Sequence, residues 1–220
     1  MRHIPYREAV EALMWAATMT RQDISLAVHN LAKFCDDPRP VHWNAAIKAL
    51  RYFWRTKNRG STYGGAISRG LTMSAYVDSD RAICPDSRRS VSGEAVMLGD
   101  GTISWLSRAQ RVTASASSES EYVALAEIVN ETKFLRQVQE FIIPTLRSCT
   151  IPIKGDNSGA IRMVNNKHSS RRTRHINVKH LIVRDAVGEG LVRIVYVRSQ
   201  EQHADILTKA LDVRTFELHA

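Results

Sequence analysis

Four acidic residues stand where a predicted strand ends or a predicted helix begins: Asp78, Glu121, Asp156 and Asp205. Asp78 closes an apolar run at residues 75–77, and Asp156 follows a short apolar run at residues 151–153. Functional sites are often built where strands end. Carboxylate oxygens are the hard ligands that Mg²⁺ and Mn²⁺ prefer. Two such ions, roughly 3.5 to 4 Å apart, promote phosphodiester hydrolysis, so the residues predict a metal site that acts on a nucleic-acid backbone.

Each of the four acids also has an ordinary structural explanation. Asp78 can open a turn with the two polar residues after it, and Asp156 can cap a helix that begins at residues 157–158. Glu121 fits a capping box with Ser118, although its position also lies on the apolar face of the predicted helix. Asp205 falls in the first turn of a predicted helix, where the macrodipole favours an acid. Taken singly, the residues leave both interpretations open.

The periodicity of apolar residues predicts the elements that carry these acids. Glycines at positions 60, 64, 65 and 70 mark a change from helical to extended periodicity, which predicts a linker at residues 61–71 between a helical segment, 1–60, and a domain, 72–220. In that domain, strands are predicted at residues 73–78, 93–98, 102–106, 151–154 and 192–197. Helices are predicted at residues 118–141, 160–164, 175–187 and 204–211. A glycine turn at residues 99–101 joins the second and third strands as a hairpin, and the later alternation of strands and helices predicts a mixed sheet of an α/β fold.

The first sixty residues predict three short helices. Apolar residues recur at helical spacing from Val10, from Ile24 and from Trp43. Asp23 is predicted to cap the second helix. The tryptophans are predicted to lie in the core rather than to stack on bases, and they are Trp15, Trp43, Trp54 and Trp105.

The charge balance favours a polyanionic partner. The chain has 31 Lys and Arg against 22 Asp and Glu, which gives a formal charge of +9. Basic residues concentrate in one segment, where they could clamp phosphates or simply form a solvated loop: Lys167, Arg171, Arg172, Arg174 and Lys179. The three nearby histidines, at positions 168, 175 and 180, do not have zinc-site spacing. Nucleic acid is therefore the first candidate partner.

Cysteine usage and hydropathy bear on location. The three cysteines are widely separated and form no Cys-x-x-Cys pair, which predicts neither a disulfide framework nor a zinc knuckle. The first residues lack the apolar core of a signal peptide, and no apolar run approaches the roughly 18 residues that a membrane span needs. We therefore expect a soluble intracellular protein with no membrane partner, in the cytoplasm, as in a virus-like particle, or in the nucleus.

Several motifs, in a fixed order, resemble the ribonuclease H domain at the end of copia-type retrotransposon polymerases. In the second domain they are residues 76–82 (YVDSDRA), 88–93 (RRSVSG), 103–107 (ISWLS), 115–125 (SASSESEYVAL), 156–160 (DNSGA), 172–176 (RTRHI) and 202–209 (QHADILTK). The first domain is similar to the segment between polymerase and ribonuclease H in residues 5–9 (PYREA), 13–16 (LMWA), 21–24 (RQDI) and 42–43 (HW). The resemblance covers essentially the full chain.

This resemblance implies a ribonuclease H-like fold, with a five-stranded mixed sheet flanked by helices, that cuts the RNA strand of an RNA–DNA hybrid using two Mg²⁺ or Mn²⁺ ions. By motif position, Asp78 is similar to the first catalytic acid, which would bridge both ions, and Glu121 and Asp156 would complete their coordination. Asp205 is similar to the fourth acid, beside the attacking water. The resemblance also implies an upstream reverse transcriptase domain in a longer polyprotein.

A second interpretation belongs to a different class. The chain could be a non-catalytic nucleic-acid-binding module or an inactive retroelement remnant, which Arg81 favours because the family usually has Trp at that position. All four acids are present, which favours the enzyme. Metal-dependent cleavage separates the two interpretations, since a binding module would hold the hybrid and leave it intact.

Overall fold

One mixed sheet of five strands organises the second part of the chain, in the order β3-β2-β1-β4-β5. The computed structural model describes residues 4–63, 71–80, 89–111, 116–146, 149–165 and 177–220. The strands are β1 (Met73–Asp80), β2 (Val91–Leu98), β3 (Gly101–Ala109), β4 (Ile151–Gly155) and β5 (Val192–Tyr196). The first three pair antiparallel, whereas β4 pairs parallel with both β1 and β5. With helices on its faces, this sheet confirms the predicted ribonuclease H-like fold.

The predicted hairpin between β2 and β3 is present. Gly99 has a φ of +61°, a left-handed conformation that glycine adopts without steric penalty. Both strands run further than predicted, and β1 continues past Asp78 to Asp80. The buried Gln110 side chain amide donates to the Ser92 hydroxyl, at 2.9 Å, and to the Ser120 carbonyl, at 2.8 Å, which gives these buried polar groups a hydrogen-bond partner.

Helices cover one face of the sheet. They are α4 (Ser117–Ile142), α5 (Ser158–Asn165) and α6 (Asn177–Gly188), close to the predicted bounds. The long helix α4 buries Tyr122, Leu125 and Ile128 against Val77 and Ile153 of the two central strands. This contact forms the main core of the domain and places the first turn of α4 beside β1.

The other face of the sheet is covered by the end of the chain. The prediction of one helix at residues 204–211 is wrong, since a short 3-10 helix at His203–Leu207 is followed by a separate helix, α7 (Val213–His219). The Gln202 side chain accepts from the Ala204 backbone N–H and begins the first element. Asp212 accepts from the backbone N–H groups of Arg214 and Thr215 and caps α7. The first cap therefore begins a 3-10 helix that ends at Leu207, within the predicted stretch, and the second begins a helix that lies beyond it.

The first part of the chain contains the three predicted helices, α1 (Tyr6–Met19), α2 (Ser25–Ala32) and α3 (Pro40–Arg55), around a separate cluster of buried side chains. Asp23 does not cap α2 as predicted. Its carboxylate instead forms a buried ion pair with Arg21, at 2.7 Å, and accepts from the Tyr52 hydroxyl, at 2.7 Å. The core prediction is also wrong for Trp15 and Trp54, which are 69% and 72% exposed.

The first part of the chain contacts the second at defined points. The indole N–H of Trp105 on β3 donates to the carbonyl of Ala17 at 2.7 Å, and Arg59 pairs with Glu217 on α7. The predicted linker lies partly outside the described residues, so the division of the chain at residues 61–71 stays a prediction. Within the ranges given above, none of the helices combines the length and apolar character that a bilayer crossing requires.

Candidate active site

The central carboxylate of the site belongs to Asp78, which is 1% exposed. It lies within β1 rather than in a turn, opposite Gly93 of β2. A Cβ atom on Gly93 would lie 2.6 Å from the Thr208 side chain and 2.8 Å from the Ala204 carbonyl oxygen. The missing side chain therefore lets residues 203–208 approach the sheet, where the Thr208 hydroxyl donates to Asp78 Oδ2.

Three aspartates from separate segments meet at this point: Asp78, Asp156 and Asp205 each offer an oxygen within 4.8 Å of the others. Asp156 directly follows β4, which pairs parallel with β1, so both strands deliver an acid to the same edge of the sheet. Asp156 is not the helix cap, because Asn157 accepts from the Ala160 backbone N–H and the Ser199 hydroxyl donates to Asp156 at 2.9 Å. Among the described residues, no other group of three or more His, Cys, Asp or Glu side chains meets this spacing.

Glu121 lies beside this group, near the start of α4, and is 8% exposed. The capping box with Ser118 is absent, because the helix is preceded by Ala116 and has no side-chain cap. The Glu121 carboxylate instead accepts from the backbone N–H of Ser79. Burial, together with the charges of Asp78 and Asp156, raises the pKa of Glu121 to about 9.

Lys209 was not singled out from the sequence, yet its ammonium lies 3.2 Å from Asp78 Oδ1 and 3.0 Å from Asp205 Oδ1. Burial alone would lower the pKa of Lys209, but the charges of Asp78 and Asp205 outweigh it and raise that pKa. Asp205 is 6% exposed, and burial followed by the charge of Asp78 raises its pKa to about 6. In the sequence, only the i,i+4 spacing of Asp205 and Lys209 indicated that these two side chains could pair.

The donor set fits a divalent cation. All of the converging side-chain oxygens of Asp78, Asp156 and Asp205 are carboxylate oxygens, which Mg²⁺ and Mn²⁺ prefer. Burial, followed by the charges of the neighbouring aspartates, raises the pKa values of Glu121 and Asp205, which is the pattern of buried acids whose charge is only partly neutralised. A divalent cation between the aspartates would relieve this repulsion, and the three aspartates with Glu121 are the residues that would hold it.

The predicted phosphate-binding segment is described only at its end. Lys167, Arg171, Arg172 and Arg174, like Arg81, lie outside the described residues. Lys179 is on α6, and its ammonium lies 3.5 Å from Glu127 of α4. Its phosphate contact stays a prediction.

No protein-family model matches the chain. The chain is 31% identical over 218 residues to the retrovirus-related Pol polyprotein from transposon TNT 1-94 of Nicotiana tabacum, a match that covers 99% of this chain and 16% of the polyprotein. It is 41% identical over 137 residues to the secreted RxLR effector protein 161 of Plasmopara viticola, covering 61% of this chain and 94% of that protein. Ribonuclease H1 from Halobacterium salinarum superposes with a TM-score of 0.46 and 16% identity, over 62% of this chain and 94% of that one. Since the match to a transposon polyprotein extends over 99% of this chain and the sheet has the expected strands, the chain belongs to the retrotransposon Pol polyproteins, as their ribonuclease H region.

Proposed function

We propose that this chain is a two-metal endonuclease that hydrolyses the RNA strand of RNA–DNA hybrids. The observation that carries the proposal is the convergence of Asp78, Asp156 and Asp205 within 4.8 Å, with the buried Glu121 beside them. Three segments far apart in sequence deliver these acids to one edge of the sheet. Negative charge gathered in this way is unfavourable unless a cation balances it, so the arrangement supports a role in metal binding.

The position of each acid suggests its role in metal binding or catalysis. Asp78 is the most buried of the four and lies on the central strand, which suits it to bridge two ions. Glu121 and Asp156 approach from α4 and from the end of β4 and would complete the coordination. Asp205, on the opposite face, would orient the attacking water. Bound divalent ions would supply activation of that water and stabilisation of the leaving oxygen.

Charge and family support the proposed substrate class. A formal charge of +9 favours a nucleic-acid backbone, and the segment with Lys167, Arg171, Arg172, Arg174 and Lys179 is the proposed phosphate contact. Because the chain spans about 16% of the tobacco polyprotein, we propose that an upstream reverse transcriptase domain is its natural partner. Cys35 and Cys149 are free thiols, which is compatible with the expected intracellular location.

Cleavage of a labelled RNA–DNA hybrid by the purified chain tests the proposal. The reaction is run with Mg²⁺, with Mn²⁺ and with a chelator, on wild type and on Asp78→Asn. Asp185→Asn is the matched control, because Asp185 is an exposed aspartate on α6 outside the site. We expect metal-dependent cutting of the RNA strand, lost in Asp78→Asn by a factor of about 10² or more and unchanged in Asp185→Asn.

Two outcomes would reject the nuclease. Wild-type protein that is folded and holds the hybrid equally well in chelator, without cutting it, would identify the non-catalytic binding module. Full activity in Asp78→Asn would separate any observed cleavage from the acidic site. Circular dichroism spectra of all variants show whether the fold is retained.

A further inference from the structure

A cation of the protein itself already lies between two of the acids. Lys209 Nζ is 3.2 Å from Asp78 Oδ1 and 3.0 Å from Asp205 Oδ1. The backbone helps to hold this position, because the Lys209 N–H donates to the Asp205 carbonyl at 2.9 Å. The second oxygen of Asp78 accepts from Thr208. Thr208 and Lys209, which directly follow the 3-10 helix, thus both contact the Asp78 carboxylate.

The two aspartates need such a partner when no metal is bound. The side chains of Asp78 and Asp205 are only 1% and 9% exposed, so water screens their mutual repulsion poorly. Removing one partner of a buried charge group is strongly unfavourable, because the remaining charge has lost both water and its counter-ion. The ammonium of Lys209 therefore stabilises the metal-free site.

A divalent cation would compete for the same oxygens. Mg²⁺ binds carboxylate oxygens at about 2.1 Å, and an ammonium within hydrogen-bonding distance of the same atoms would repel it. The Lys209 side chain is 33% exposed, so its ammonium has a path to solvent along a flexible four-carbon stem. The geometry permits the ammonium to leave without a movement of the backbone.

We propose that Lys209 is an internal counter-ion that holds the metal-free site together and is displaced when the divalent cation binds. This inference rests on the proposed metal site, and it adds that metal binding is an exchange of one cation for another. Lys209 is then a positioning residue that stabilises the apo protein and weakens metal affinity. A purely structural lysine would have the opposite effect on affinity, since its loss would disturb the ligands.

Isothermal titration calorimetry with Mg²⁺ and thermal unfolding in chelator test the inference on wild type, Lys209→Met and Lys209→Arg. Lys133→Met is the matched control, because Lys133 is also a partly exposed lysine but lies on α4 away from the acids. We expect Lys209→Met to unfold about 3 °C or more below wild type in chelator. Its Kd for Mg²⁺ should be about tenfold lower than that of wild type. Lys209→Arg keeps the charge, so its Kd should not fall below the wild-type value.

The outcomes separate this inference from the proposed function. Equal or weaker Mg²⁺ binding by folded Lys209→Met, with normal binding by wild type, overturns the counter-ion role and leaves the nuclease proposal standing. Tighter Mg²⁺ binding by Lys209→Arg than by wild type also overturns the counter-ion role. This comparison remains valid if Lys209→Met does not fold. Failure of every variant to bind Mg²⁺ or Mn²⁺ rejects the metal site and the inference together. Tighter binding by Lys209→Met supports the inference even if hybrid cleavage is never detected.

Discussion

Replacing Gly93 with alanine should damage both stability and the site, although alanine is normally the better strand residue. The added Cβ would lie 2.6 Å from Thr208 Cγ2, 2.8 Å from the Ala204 carbonyl oxygen and 3.0 Å from Leu207 Cβ. One of these neighbours is backbone, so the contact cannot be relieved by rotating a side chain. Overpacking of this kind costs about 1–3 kcal/mol, whereas removing glycine from a strand contributes only about 0.5–1 kcal/mol in the other direction. We expect a net loss of roughly 1–2 kcal/mol.

The same change should weaken metal binding, because residues 203–208 carry Asp205 and hold it against Asp78. Urea unfolding followed by circular dichroism measures the first effect, and Mg²⁺ calorimetry measures the second. Gly155→Ala is the matched control, because Gly155 also lies in a strand next to a site acid. Its added Cβ would meet Val77 at 3.7 Å, an ordinary contact. Equal stability and equal Mg²⁺ affinity in the two variants would refute the close approach of residues 203–208 to β2.

Three further changes test the buried polar groups through the free energy of unfolding. Burial, followed by the charge of Glu127, raises the pKa of Glu94 to about 8, so the folded protein keeps a proton that the unfolded chain releases near pH 4.5. The free energy of unfolding of wild type therefore falls as pH rises between these values. Relative to wild type, Glu94→Gln should become more stable by roughly 1.4 kcal/mol per pH unit across this range, as measured by urea unfolding. A pH dependence of stability equal to that of wild type would contradict this expectation. Arg21→Met leaves the buried Asp23 carboxylate without its ion pair and should cost about 3–5 kcal/mol in the same assay, whereas a loss near zero would mean that the pair is hydrated. Trp105→Phe removes the indole donor to Ala17 and should cost about 1–2 kcal/mol, and no loss would show that the helices do not depend on this bond.

Local sequence patterns determined most of the elements. Apolar periodicity and the glycine turn at residues 99–101 predicted the hairpin, the long helix α4 and the order of strands and helices, with boundary errors of a few residues. These features depend on residues close together in sequence, because the spacing of apolar residues indicates which face of a helix or strand is buried. The prediction of one helix at residues 204–211 failed, because the element that begins after Gln202 is a 3-10 helix that ends at Leu207, and the next helix begins only after the cap at Asp212.

Burial of particular side chains was less predictable. Helical spacing from Trp43 placed Trp54 on the apolar face, yet Trp54 is 72% exposed, whereas its neighbour Phe53 packs against the buried cluster of the first helices. Asp23 looked like a helix cap, yet its carboxylate pairs with Arg21 and Tyr52. Sequence gives the type of each residue, whereas the surrounding elements decide which partner reaches it.

The sequence by itself determined which acids were candidates and, through the motifs around them, the family to which the chain belongs. Only the tertiary structure decided that Asp78, Asp156 and Asp205 meet within 4.8 Å, because this depends on the parallel pairing of β1 with β4 and on the space left by Gly93. It also rejected the capping role of Glu121 and revealed Lys209 between two aspartates. Periodicity indicates which face of an element is buried. Distances between segments are instead set by strand order, by register and by small residues such as Gly93, whose missing side chain allows close contact.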